Sequence, residues 1–127
     1  MNAPERTAAF TLDEDNDERK ITYLPSPQIP NAGTFTFNKE DHTMGNLIRH
    51  QLLRNPNVHF VGYMHPHPLI HRIDMKIQTR DGTTNPGDVL LEAIDDLTTE
   101  CGQLQEKFDD AMSKFEEEEH GNTGRNM

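Results

Sequence analysis

The chain has 127 residues, a net charge of −10 and a hydrophobic fraction of 32%, which its glycines raise to about 38%. Globular domains average about 45–50% on that count. With no Trp and only 6% aromatic residues, the core lacks its bulkiest fillers. The apolar shortfall rules out a membrane-spanning segment and argues against a self-sufficient enzyme with a deep pocket, and either part of the chain is disordered or another chain completes its core. The charge is uneven: −4 over residues 1–19, +3 over 20–85 and −10 over 86–119. No clustered Lys/Arg face exists to neutralise phosphates, so direct nucleic-acid contact is not expected. Cys101 stands alone, and no apolar run near Met1 reads as a signal peptide, which together predict a reducing, intracellular setting.

Residues 1–19, with Asp13 to Glu18 and little apolar beyond Phe10 and Leu12, read as a solvated acidic arm or a loosely attached edge. Ile21-Thr22-Tyr23 predicts a short strand that stops among Pro25, Pro27 and Pro30. Thr34 to Phe37 alternates polar and apolar, as a half-buried strand does. A helix follows over 41–54: Asp41 or Thr43 caps it, Met44, Leu47, Ile48 and Leu52 share one face, and Asn55-Pro56 ends it. Val58 to Met64 predicts a strand, and His65-Pro66-His67-Pro68 an extended turn. Residues 71–79 alternate again, with Ile73, Met75 and Ile77 opposite Arg72, Asp74, Lys76 and Gln78.

Asn85-Pro86 then starts the longest element, with Asn as cap and Pro at the first helical position. Leu90, Ile94, Leu97, Cys101, Leu104, Phe108, Ala111 and Phe115 follow at alternating steps of four and three, a heptad seam. Residues 86–115 span about 45 Å as a helix. A compact 127-residue globule has a radius of gyration of only about 14 Å, so part of the seam is expected to pack against a helix from elsewhere, while the chain's own sheet could account for half the stripe. Residues 116–127 read as a disordered acidic tail.

No catalytic constellation is visible. His59, His65, His67 and His71 are the best metal candidates, yet Pro66 holds His65 and His67 apart, no Cys is near, and Asp74 lies on a polar strand face. The turn histidines are expected to pack on prolines and bond backbone carbonyls. Asp41-His42-Thr43 lacks a Ser or Cys partner and reads as a capping cluster. The acidic runs lack calcium-loop spacing, and Cys101 occupies a seam position as a small hydrophobe. Catalytic residues, metal and cofactor are all expected to be absent.

Lys39 to Asn46 (Lys-Glu-Asp-His-Thr-Met-Gly-Asn), Phe60-Val61-Gly62-Tyr63, Pro66-His67-Pro68-Leu69 and Ile77-Gln78-Thr79 occur in that order before a long helix. This combination resembles the small alpha-like subunits of eukaryotic RNA polymerases over about residues 1–115. The opening MNAPER is similar to the RNA polymerase II type rather than to the paralogue shared by polymerases I and III. Met44, where the family commonly has Leu, Met64, where it has a basic residue, and the acidic segment before Lys20 depart from its pattern.

The resemblance implies an α+β dimerisation domain over residues 20–115, related to the bacterial alpha-subunit N-terminal domain. Its expected form is a small antiparallel sheet of about four strands, with one short helix and the long C-terminal helix on one face. It implies structural roles for the signature residues Asp41, His42, Thr43, Gly45, Asn46, Gly62, Tyr63, Pro66, His67 and Pro68. It implies a heterodimer surface from Met44, Leu47, Ile48 and Leu52 on the first helix and Leu90, Ile94, Leu97, Cys101, Leu104 and Phe108 on the second. The implied partners are the larger alpha-like (third) subunit, the second-largest subunit and other polymerase subunits, in the nucleus. The polymerase's catalytic aspartates and magnesium belong to its largest subunits. Outside the family, an acidic coiled-coil adaptor is the alternative, and a small His-dependent metalloenzyme a more distant one.

Overall fold

The computed structural model describes residues 6–125, with C-terminal side chains to residue 121. The first five residues of the expected arm and the last two of the expected tail lie outside the described residues. The chain forms two compact units, residues 1–94 and 95–127.

The first unit is built on four strands: β1 (Ile21–Pro25), β2 (Ala32–Asn38), β3 (Val58–Met64) and β4 (Arg72–Thr79). They form one antiparallel sheet in the order β1-β2-β4-β3. The alternation in β4 buries Ile73, Met75 and Ile77 and leaves Arg72, Asp74, Lys76 and Gln78 on the wetter face. Register carries the same division across the sheet: Phe35 pairs with Met75 and Phe37 with Ile73, and both phenylalanines are buried. In β3 a bulge between Val58 and Phe60 leaves His59 without a partner, so Val58 and Val61, three positions apart, are both buried. Strict alternation would have placed one of them in water.

Helix α1 (His42–Leu53) lies between β2 and β3 in sequence. Lys39, at φ 61°, turns the chain out of β2, and its N–H donates to the His71 carbonyl at 2.7 Å. Asp41 then caps the helix by accepting from the Thr43 N–H at 2.9 Å. Gly45, Ile48 and Leu52 form its buried side. Thr79, fully buried at the end of β4, is bound into its surroundings: its hydroxyl lies within hydrogen-bond reach of the carbonyls of Asn31, Asp81 and Thr84. The Asn31 side-chain amide in turn donates to the Thr79 carbonyl.

Helix α2 (Pro86–Arg125) starts where Asn85 Oδ1 accepts from the Gly87 N–H at 2.8 Å. Its first turns complete the core of the first unit with Val89, Leu90 and Ala93. The rest forms the second unit, a single helix whose side chains are exposed from Thr98 to Gly121. The expected helix end at Phe115 and the disordered tail from Glu116 are corrected: the helix runs on to Arg125. Glutamate is a strong helix former, and no proline interrupts the stretch.

Of the acidic arm, the described part is one 3-10 turn, Glu14–Asn16, amid turns and bends. It is tied to the sheet where the Asn38 amide donates to the Arg19 carbonyl at 2.6 Å and Lys39 Nζ lies 3.7 Å from Glu18 Oε1.

Candidate interaction surface

The signature residues converge around the N-terminus of α1 and the β3–β4 connection. The Asp41 carboxyl is held below the ordinary carboxylate range, first by the backbone N–H of Thr43 and then by its side chain. His42 Nδ1 lies 3.0 Å from the Tyr63 hydroxyl, and its ring meets that of His65 edge-on at 5.6 Å. A β-carbon on Gly45 would press into the Tyr63 ring, so this glycine sets how close α1 lies to β3. Asn46 accepts from Arg49 on the helix surface at 3.2 Å. Phe60 leans over Gly62 on the other face of the strand. In the turn, His65 Nε2 reaches the Ile70 carbonyl at 2.8 Å, and His67 Nδ1 accepts from the Leu69 N–H at 3.1 Å. Pro66 and Pro68, both exposed, flank His67. The two turn histidines thus organise backbone. Among the described residues, no group of three or more His, Cys, Asp or Glu side chains converges as a metal site would.

The ten residues expected at the interface divide sharply. Ile48, Leu52 and Leu90 are each less than 5% exposed and belong to the chain's own core, which corrects their assignment to a partner surface. The sheet reaches them first, because the stripe that covers a sheet has the same period as one that meets a second helix. Met44, Ile94 and Leu97 are half-buried. Leu47 is exposed on α1, and Cys101, Leu104 and Phe108 are exposed on α2.

Among the described residues, the stripe beyond residue 97 is exposed. Leu104 is 70%, Phe108 63% and Phe115 56% exposed. The sequence pattern missed Leu91 and Met112, large exposed side chains one position after a seam residue. They broaden the stripe towards the wider face of a bundle helix, and a search confined to steps of three and four passes over them. Apolar side chains more than half exposed and repeated over about three turns are unusual in a chain that works alone. Chemically, this surface offers burial.

The family described as the RNA polymerase Rpb3/Rpb11 dimerisation domain matches residues 32–107, from β2 into the exposed part of α2. A probable DNA-directed RNA polymerase II subunit RPB11 of Caenorhabditis briggsae is 46% identical over 114 residues, covering 90% of each chain. The corresponding rpb11 subunit of Dictyostelium discoideum is 40% identical over 114 residues, covering 90% of this chain and 92% of the relative. The Schizosaccharomyces pombe RPB11 subunit is 37% identical over 108 residues and 85% of each. Among solved structures, subunit L of the DNA-directed RNA polymerase from Thermoplasma acidophilum aligns with a TM-score of 0.63. At 17% identity, over 76% of this chain and 91% of that one, it is a likeness of fold.

Proposed function

Because the chain belongs to the RNA polymerase Rpb3/Rpb11 dimerisation-domain family, we propose that it is a non-catalytic assembly subunit of nuclear RNA polymerase II. In this reading it pairs with the larger alpha-like (third) subunit, and the pair forms a platform for the second-largest subunit. The observation that carries the proposal is the uncovered stripe of Leu104, Phe108 and Phe115, which continues a seam whose first residues already sit in a folded core. The surface offered to the partner is Met44 and Leu47 on α1 together with Ile94, Leu97, Cys101, Leu104 and Phe108 on α2. Ile48, Leu52 and Leu90 belong to the core of the first unit.

The mechanism is thermodynamic. Burying side chains of this size is worth about 1.5–3 kcal/mol each, so several of them offset the entropy lost on association. The test is Leu97→Asp against Asp95→Ala, in a pull-down of the larger alpha-like subunit at matched expression, with helicity checked by circular dichroism. A carboxylate on the seam should cost at least about 4 kcal/mol, roughly a thousandfold in affinity, whereas Asp95→Ala should bind normally. A folded Leu97→Asp chain that pairs normally overturns the proposal.

A further inference from the structure

We propose that the exposed half of α2 selects its partner helix by charge as well as by burial, with Lys107 and Lys114 facing two carboxylates of that helix placed one heptad apart. This rests on the pairing reading above and adds the chemistry of the partner.

The second unit holds ten carboxylates and two ammonium groups between Asp95 and Gly121, and their placement is not even. With the seam residues Leu97, Cys101, Leu104, Phe108, Ala111 and Phe115 as a and d positions, Glu100, Lys107 and Lys114 precede the a residues and line one margin. Thr98, Gln105 and Met112 follow the d residues and leave the other margin uncharged until Glu119. Asp95, Asp96, Asp109, Asp110, Glu116 and Glu117 fall on the outer positions, which face away from a helix lying on the seam. Both lysines of the unit therefore stand beside the stripe, about 10.5 Å apart along the axis.

Neither lysine is engaged within its own helix. Lys107 has Asp110 three positions on, and Lys114 has Asp110 four positions back and Glu117 and Glu118 ahead. Yet among the described residues neither ammonium forms an ion pair. Both side chains are exposed. A helix seated on the stripe meets them at contact distance, where screening is weak. The outer carboxylates lie further away, and a Debye length of about 8 Å at physiological salt attenuates them. The unit is acidic as a whole but locally basic where a partner docks.

A second copy of this chain fits poorly. In a parallel, in-register pair, Glu100 would face Gln105 and Lys107 would face Met112, and of the three margin charges Lys114 alone would meet a complement, Glu119. The two strongly acidic helices would also repel. The occupant that satisfies both the stripe and its margin is an amphipathic helix of another chain, with Asp or Glu opposite each lysine.

The experiment uses the full chain and the larger alpha-like subunit, with affinity measured at about 0.15 M salt. Lys107→Glu with Lys114→Glu should weaken pairing about tenfold, and Lys107→Gln with Lys114→Gln about threefold. Asp109→Lys with Glu116→Lys, on the outer positions, should stay within about twofold. Phe108→Asp separates the two ideas: if it leaves pairing intact, the pairing reading itself fails. If it abolishes pairing while the Lys-to-Glu variant, helical by circular dichroism, binds as well as the parent or better, the charge proposal is overturned. A homodimer of the free chain tighter than the mixed pair overturns it too.

Discussion

Gly45 sits against the ring of Tyr63, so close that a β-carbon at position 45 would stand 2.8 Å from Tyr63 Cε2 and 3.0 Å from Ile73 Cδ1. Glycine costs a helix interior about 1 kcal/mol relative to alanine, so intrinsic propensity alone favours Gly45→Ala. The geometry reverses that sign. Gly45→Ala should destabilise the isolated chain by about 1–3 kcal/mol, because α1 must lift or the ring must leave its rotamer. Adding Tyr63→Leu should recover part of the loss. Urea unfolding of the two variants checks it, and a raised midpoint for Gly45→Ala would show that the ring gives way freely.

Leu52 on the α1 stripe and Leu104 on the α2 seam are both expected at the interface from sequence, but they belong to different energetic classes. Leu52→Ala should cost about 2–5 kcal/mol of unfolding free energy, since it empties a site that is fully buried. Leu104→Ala should change the stability of the isolated chain by no more than about 0.5 kcal/mol. Its effect should appear in pairing, as a loss of about tenfold or more in affinity. Equal destabilisation by both would contradict the division drawn here between core and surface.

Thr79→Val should destabilise by about 1–3 kcal/mol although it preserves shape. The buried hydroxyl supplies one proton to a part-buried cluster of three carbonyls, from Asn31, Asp81 and Thr84, and valine leaves them without it. Thr79→Ser keeps the donor and should lose less. Guanidinium denaturation that ranks serine below valine would sink this account.

Two carboxyls titrate below their ordinary range: Asp41 through the Thr43 backbone N–H, and Asp81 through the Thr83 hydroxyl first and Thr84 second. A folded-state pKa below the unfolded value near 3.9 stabilises at higher pH, and that contribution is lost as pH falls through the folded value. Asp41→Asn keeps a capping acceptor without the charge. The gap in melting temperature between parent and Asp41→Asn should therefore narrow steadily as pH drops from about 5 towards 2. A gap that does not change with pH would assign the effect to packing.

What the sequence reveals depends on how local the cause is. Asn85 before Pro86 announces the start of α2 because cap and first turn are adjacent, and Gly87 does donate to Asn85. Asp41 is equally local. The alternation of Ile73, Met75 and Ile77 reports a face directly, and all three are buried. The β3 bulge is not legible: Val58 and Val61 share the core only because β4 imposes a register that skips His59. Nor does periodicity separate Leu90 from Leu104, since one stripe serves both an internal sheet and an external helix. The helix beyond Phe115 was hidden by composition, because four consecutive glutamates read as solvated charge although glutamate favours helix. Of the two turn histidines expected to bond backbone carbonyls, His65 meets that of Ile70, whereas His67 accepts from the Leu69 N–H.

The exposed run of α2 also fixes what a melting experiment can mean for this chain. From Thr98 to Gly121 the helix side chains are exposed, so the amides of this stretch should exchange within a far shorter time than those of β2 or β4. Once a partner covers Leu104 and Phe108, the same amides become protected and the two chains unfold together. The transition temperature then rises with protein concentration, as mass action requires. Under the proposed pairing, thermal stability is a quantity that two genes specify jointly.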